Sequence, residues 1–218
     1  MCCLPDNANV RLTESMNMHP IVKSVEWVAT RQKEDETYFR KLGVPYTLEG
    51  LSNVLLNEKP KSAMPSACHG LANLKAIDAV PLLKRLATYP KSDVKACSVL
   101  AVARMAEQSE TKWLVECLSL KGTDKTYVLW ALAIGADPAA FEAVRDWFDP
   151  VLRKIEKKPD SDPAGKHVVV VAYLEQIAHL VGEAQELLNR YRVVVPSLDS
   201  YTRGLLATST VMFGNQEK

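Results

Sequence analysis

Apolar residues recur at intervals of three and four along most of this chain, the period of a helix. Ile21, Val22, Val25 and Val28 open a face that runs to about Phe39, with Pro20 placed as a first-turn residue. Gly43 and Pro45 stop it. Leu48, Leu51, Val54 and Leu55 form a second face, and Thr47 stands where an N-cap belongs. Asn57 to Pro65 reads as a loop with two prolines. From Ser66 onward short apolar helices alternate with second helices: Asp78 and Pro81 at the start of one, Ser92 or Asp93 opening the next, then Ser109, Thr123 or Asp124, and Asp137-Pro138. Gly135 is expected to close the helix through Ile134. Lys157 to Gly165 breaks the pattern with two prolines and a glycine, a polar insertion of the kind that often carries function. A helix from about Lys166 to Val181, broken by Gly182, and another from Glu183 to about Val194 follow. A last helix from Ser200 to Met212 closes the chain, introduced by Pro196 and Asp199.

One segment pulls both ways. Four valines, Val168 to Val171, favour a strand by propensity. Val171, Leu174, Ile177, Ala178 and Val181 nevertheless keep a helical period, so a helix is expected.

Three stretches echo one another: Cys68 to Leu74, Cys97 to Ala103 and Val128 to Ile134. Leu71, Leu100 and Leu129 are 29 residues apart each time. Repetition at such a period marks stacked helix pairs. Ala72, Ala101, Ala131 and Ala172 recur where close helix approach needs small residues.

Gly70-Leu71-Ala72-Asn73-Leu74 followed by Asp78-Ala79-Val80-Pro81-Leu82-Leu83 resembles a HEAT-like repeat. The resemblance covers residues 66–194 and implies an all-α, right-handed α-solenoid with atypical end caps. The expected organisation is a poorly ordered segment over 1–18 and a single domain over 19–218. That domain comprises an N-terminal helix pair (19–57), the repeats (66–194) and a capping helix (200–213). The resemblance also implies a binding surface on the concave side, lined by the second helices, and implies no chemistry.

Composition adds little to this picture and removes several classes. The chain has 27 Lys+Arg against 26 Asp+Glu, and the balance holds locally: 8 against 8 in the first 65 residues and 17 against 16 over 66–194. Nothing global favours nucleic acid or an anionic membrane. No apolar run is long enough for a membrane span, and no signal segment is evident, so a cytoplasmic location is expected. Met16 or Met18 is as plausible a start as Met1. Five scattered cysteines (Cys2, Cys3, Cys68, Cys97, Cys117) do not form a disulfide framework.

The chain lacks the constellations that carry common chemistry. His19, His69, His167 and His179 are not followed by Glu, so the paired ligands of HEAT-type di-iron enzymes are missing. They read as surface or partly buried histidines. Cys68 and His69 are adjacent and point apart on a helix, so they do not make a nucleophilic pair. There is no phosphate loop and no Cys-x-x-Cys zinc pattern, and no cofactor or metal is expected. Trp113, Trp130 and Trp147 raise a HEAT-like alkylpurine DNA glycosylase as an enzyme alternative. Near-neutral charge weighs against that reading, because phosphate contacts dominate duplex binding. Trp130 is expected in the core and the other two partly exposed.

What remains is the polar surface of the second helices: Lys84, Arg85, Lys112, Glu116, Arg145, Asp146, Glu186 and Arg190. Mixed signs suit a protein partner better than a polyanion, and also suit a merely solvated surface. Arg153, Lys154, Lys157 and Lys158 form a basic group at a helix C-terminus, where they offset the dipole. The expected function is a non-enzymatic protein-binding module, one version being a bacterial immunity protein that occludes a toxin.

Overall fold

The computed structural model describes residues 25–162 and 165–214. The expectations for residues 1–18, for the helix start at Pro20 and for the choice between Met1 and Met16 lie outside them. Among the described residues every regular element is helical. In chain order these are α1 (Val25–Lys41), α2 (Leu48–Asn57), α3 (Met64–Asn73), α4 (Val80–Leu86), α5 (Ser92–Ala106), α6 (Thr111–Cys117), α7 (Lys125–Gly135), α8 (Phe141–Lys157), α9 (Val168–Ile177), α10 (Gly182–Val194) and α11 (Ser200–Gly214). None is long and apolar enough to cross a membrane.

Local chemistry explains several boundaries. Thr47 accepts the amide of Gly50 at 3.2 Å, Asp124 that of Thr126 at 2.9 Å, and Asp137 that of Ala139 at 2.9 Å. Each satisfies an amide that the first helical turn leaves without a partner. Asp199 does the same for Thr202 and also takes its hydroxyl at 2.6 Å.

Other expected caps are not used. Asp78 lies exposed inside a 3₁₀ turn, Ile77–Ala79, that runs straight into α4. That turn already engages the amides of Ala79 and Val80, so no cap is required. Ser109 likewise sits in a 3₁₀ turn before α6, and Ser92 is the first residue of α5 with Lys91 outside it. Gly135 is the last residue of α7; the left-handed turn beyond it falls on Ala136, at φ 44°. Gly182 begins α10 rather than ending α9, which stops at Ile177.

The four valines are helical. Val168 to Val171 are all buried, at 3% exposure or less. A fully buried run of apolar residues suits a helix enclosed on every side as well as a buried strand, and the longer helical period through Leu174 and Ile177 carries these valines into the helix. The same holds for α3, α5 and α7. These first helices pack in sequence, α3 on α5, α5 on α7 and α7 on α9. Ala72, Ala101, Ala131 and Ala172 are all buried, which is what the close approach requires.

The core falls into two clusters. One gathers Phe39, Leu51, Met64, Leu71 and Leu83; the other gathers Leu114, Phe148, Val169, Tyr173 and Leu188. Helix α5 belongs to both. Its Val94, Cys97, Ala101 and Val102 face the first, and its Val99, Leu100 and Ala103 face the second. Trp113 on α6 packs against both clusters as well.

Candidate functional site

Helix α8 carries Phe141, Val144, Phe148, Leu152 and Ile155 toward the core. That spacing places Glu142, Arg145, Asp146 and Asp149 on or beside its outer face. Helix α10 packs alongside and turns Glu183, Glu186 and Arg190 toward them. Between the two lies a cavity of about 430 Å³, floored by Pro150 and Leu187 and walled by these charges.

The walls are cross-linked by two arginines. From α10, Arg190 reaches Asp149 at 2.7 Å and grips Glu156 with two bonds, at 2.9 and 3.0 Å. From α8, Arg145 bonds Glu142 on its own helix, Asp146 at 3.2 Å and Glu183 of α10 at 3.2 Å. Its guanidinium also lies over the Phe141 ring, 5.9 Å from the centroid. The Arg190 bond, reinforced by Arg153, holds the Asp149 carboxyl below the usual carboxylate range. Both guanidinium groups are pushed up by their carboxylate partners.

The groove is therefore polar, preorganised and acidic. Glu142, Asp146, Asp149, Glu156, Glu183 and Glu186 outnumber Arg145, Arg153 and Arg190 two to one. Glu186 is exposed and has no ion pair among the described residues. A phosphate backbone would meet net repulsion here.

Of the eight residues expected from sequence, Arg145, Asp146, Glu186 and Arg190 line this one groove. The other four lie elsewhere, on α4 and α6. Lys84 is engaged, bonded to Glu110 at 2.8 Å and poised 5.4 Å from the centre of the Trp113 ring. Arg85, Lys112 and Glu116 are exposed. Sequence reasoning missed Asp149, Glu156 and Glu183. Asp149 had a local signal in its i,i+4 spacing to Arg153, realised at 2.8 Å. The bond from Arg190 to Asp149 spans 41 residues and had none.

One histidine departs from the expected surface or partly buried position. His167 is fully buried beside the 158–165 insertion. Its backbone amide and ring Nδ1 both meet Asp162 Oδ2, at 3.1 and 2.7 Å, and its Nε2 lies 2.8 Å from the Tyr191 hydroxyl. The carboxylate can only accept, so Nδ1 carries a proton. In the neutral ring Nε2 then accepts from Tyr191. Burial works against the charged Asp162 carboxylate, but the two bonds from His167 outweigh it and hold its pKa low. Burial pushes the Tyr191 hydroxyl up. The trio has the look of catalytic machinery, yet a substrate cannot approach a ring buried this deeply; it ties the insertion to α9 and α10. His69 is partly buried, as expected, and meets a thiol 28 residues away.

Trp130 is buried and Trp113 and Trp147 are partly exposed, as the sequence indicates. Among the described residues, no group of three or more His, Cys, Asp or Glu side chains is arranged to hold a metal ion. Compared with protein-family models, characterised proteins and solved structures, this chain finds no match.

Proposed function

We propose that this chain is a HEAT-like helical-repeat protein that binds a protein partner on the outer face of its second helices, with the α8–α10 groove as the docking site. The observation that supports this is the groove itself: a cavity of about 430 Å³ whose arginines are held by fixed carboxylates, leaving an acidic rim. Side chains already locked by neighbours lose little further entropy on binding. The excess of carboxylates selects a partner segment rich in Lys or Arg and speeds its encounter. A toxin occluded in this way is one form such a partner takes.

The test uses the full chain with a photo-crosslinking residue at Glu186, and a control with the same residue at Lys112. A stoichiometric protein adduct from Glu186, lost when Asp146 is changed to Lys and kept with the Lys112→Glu variant, is the expected result. An adduct indifferent to Asp146→Lys would overturn the assignment of the groove. Salt should weaken the interaction, since rim charges are screened within about 10 Å at 0.1 M.

A further inference from the structure

The helical repeat brings together two residues that the sequence keeps 28 positions apart. His69 on α3 places Nε2 3.4 Å from the Sγ of Cys97 on α5. Neighbours on a helix diverge, so the adjacent thiol of Cys68 does not take this place. The pairing arises because α3 and α5 pack directly, with Ala72 and Ala101 keeping the helices close.

The described cysteines, Cys68, Cys97 and Cys117, are all buried, and none of them is in a disulfide. Their surroundings differ. Cys68 is wholly enclosed in the N-terminal core, and burial pushes its thiol well up. Cys117 lies in the other core and is pushed up to about 11 by burial. Among the described residues, Cys97 is the cysteine with an imidazole in hydrogen-bond reach. The thiolate is the reactive form of cysteine, and a histidine at this distance stabilises it by taking the proton. His69 is itself partly exposed, whereas the sulfur it meets is buried. Cys97 is 3% exposed, which excludes bulky electrophiles and favours one of two or three heavy atoms.

We propose that Cys97, activated by His69, is an oxidant-sensitive thiol that reacts with hydrogen peroxide or a small hydroperoxide, while Cys68 and Cys117 stay inert. His69 takes the thiol proton. The sulfur attacks one peroxide oxygen, forming an S–O bond as the O–O bond breaks. Sulfur is oxidised to the sulfenic acid and the peroxide is reduced; the departing hydroxide, or the alkoxide from a hydroperoxide, takes the proton from the His69 imidazolium and leaves as water or the alcohol. The added oxygen enters the contact between α3 and α5, where buried alanines leave no spare room, so oxidation loosens the N-terminal core. This inference is independent of the binding groove.

The experiment treats the folded 218-residue chain with substoichiometric hydrogen peroxide, removes the excess with catalase and unfolds the chain in dimedone. Peptide mass spectrometry then reads each cysteine separately. Cys97 is expected to be trapped about tenfold or more ahead of Cys68 and Cys117. His69→Gln is expected to lower the Cys97 rate about tenfold and leave Cys117 unchanged. Equal trapping of the three cysteines, or a Cys97 rate indifferent to His69→Gln, overturns the proposal. If His69→Gln loosens the fold, the Cys117 rate rises with it and exposes the fault; the ranking in the unaltered protein then decides alone.

Discussion

Arg190 on α10 and Asp149 on α8 meet at 2.7 Å, and the same guanidinium clasps Glu156 with two further bonds. Replacing Arg190 with Gln therefore opens the groove wall. The side chain is 39% exposed, so solvent screening keeps the cost to stability modest, about 1 kcal/mol or less. A double-mutant cycle with Asp149→Asn, read by urea denaturation, should give a coupling of roughly 0.5 kcal/mol. Binding of the proposed basic partner should change more than stability does.

Acid should release the insertion. The folded pKa of Asp162 is depressed, so its contribution is present above the unfolded carboxylate value of about 3.9 and disappears as pH falls through the lower folded value. The unaltered protein should lose stability across that window more steeply than an Asp162→Asn variant. Asp162→Asn should also be less stable than the unaltered protein at pH 7, because it removes the charged acceptor of the buried His167 ring. Melting curves between pH 2 and 7 for both proteins read the difference. A parallel pair of curves would exclude Asp162 as the titrating group.

Gly165 and Gly122 both adopt a left-handed backbone, at φ 61° and 70°. They should not respond alike to alanine. A Cβ at Gly165 would stand 2.8 Å from Leu205 Cδ1, whereas at Gly122 it meets the mobile end of Lys95 at 3.3 Å. Gly122→Ala should cost about 1 kcal/mol from the backbone alone. Gly165→Ala should cost more, by about 1 kcal/mol for the clash. Chemical denaturation of the two variants ranks them.

Leu100 is buried near the middle of α5. Leu100→Ala should cost about 2–5 kcal/mol, the usual range for an apolar truncation in a tight core. Val102 faces the other cluster from the same helix. A Val102→Ala variant should unfold in a single transition at both near-UV and far-UV wavelengths, as Leu100→Ala does, because one helix serves both cores.

Much of this was legible in sequence. The caps Thr47, Asp124 and Asp137 act through amides two or three residues away, so local pattern finds them. The valine run was resolved by its longer period, and the alanines by their recurrence. Asp78 misled because a cap residue and a 3₁₀ turn residue look alike until the backbone path is known. The contacts that make the groove were hidden for a different reason. Arg190 reaches Asp149 across 41 residues through the stacking of whole helices, and no local spacing encodes that. The His69–Cys97 contact was more accessible. Residues 26 to 31 apart pair repeatedly in this chain, as do Lys84 with Glu110 and Arg104 with Asn73. The period read from Leu71, Leu100 and Leu129 is thus also a guide to contacts between successive helices.

The double membership of α5 decides where this chain tolerates being cut. A break in the polar stretch 158–162 leaves α5 and Trp113 together in one fragment, with the apolar faces of α9 and α10 free to dock back onto α7 and α8, so two co-expressed fragments should reassemble. A break at 107–110 lies between α5 and Trp113, which both clusters need, and leaves one fragment with the shared helix and the other without it. Fragment complementation at the first position and its failure at the second would show that the two clusters fold as one cooperative unit joined at a common wall.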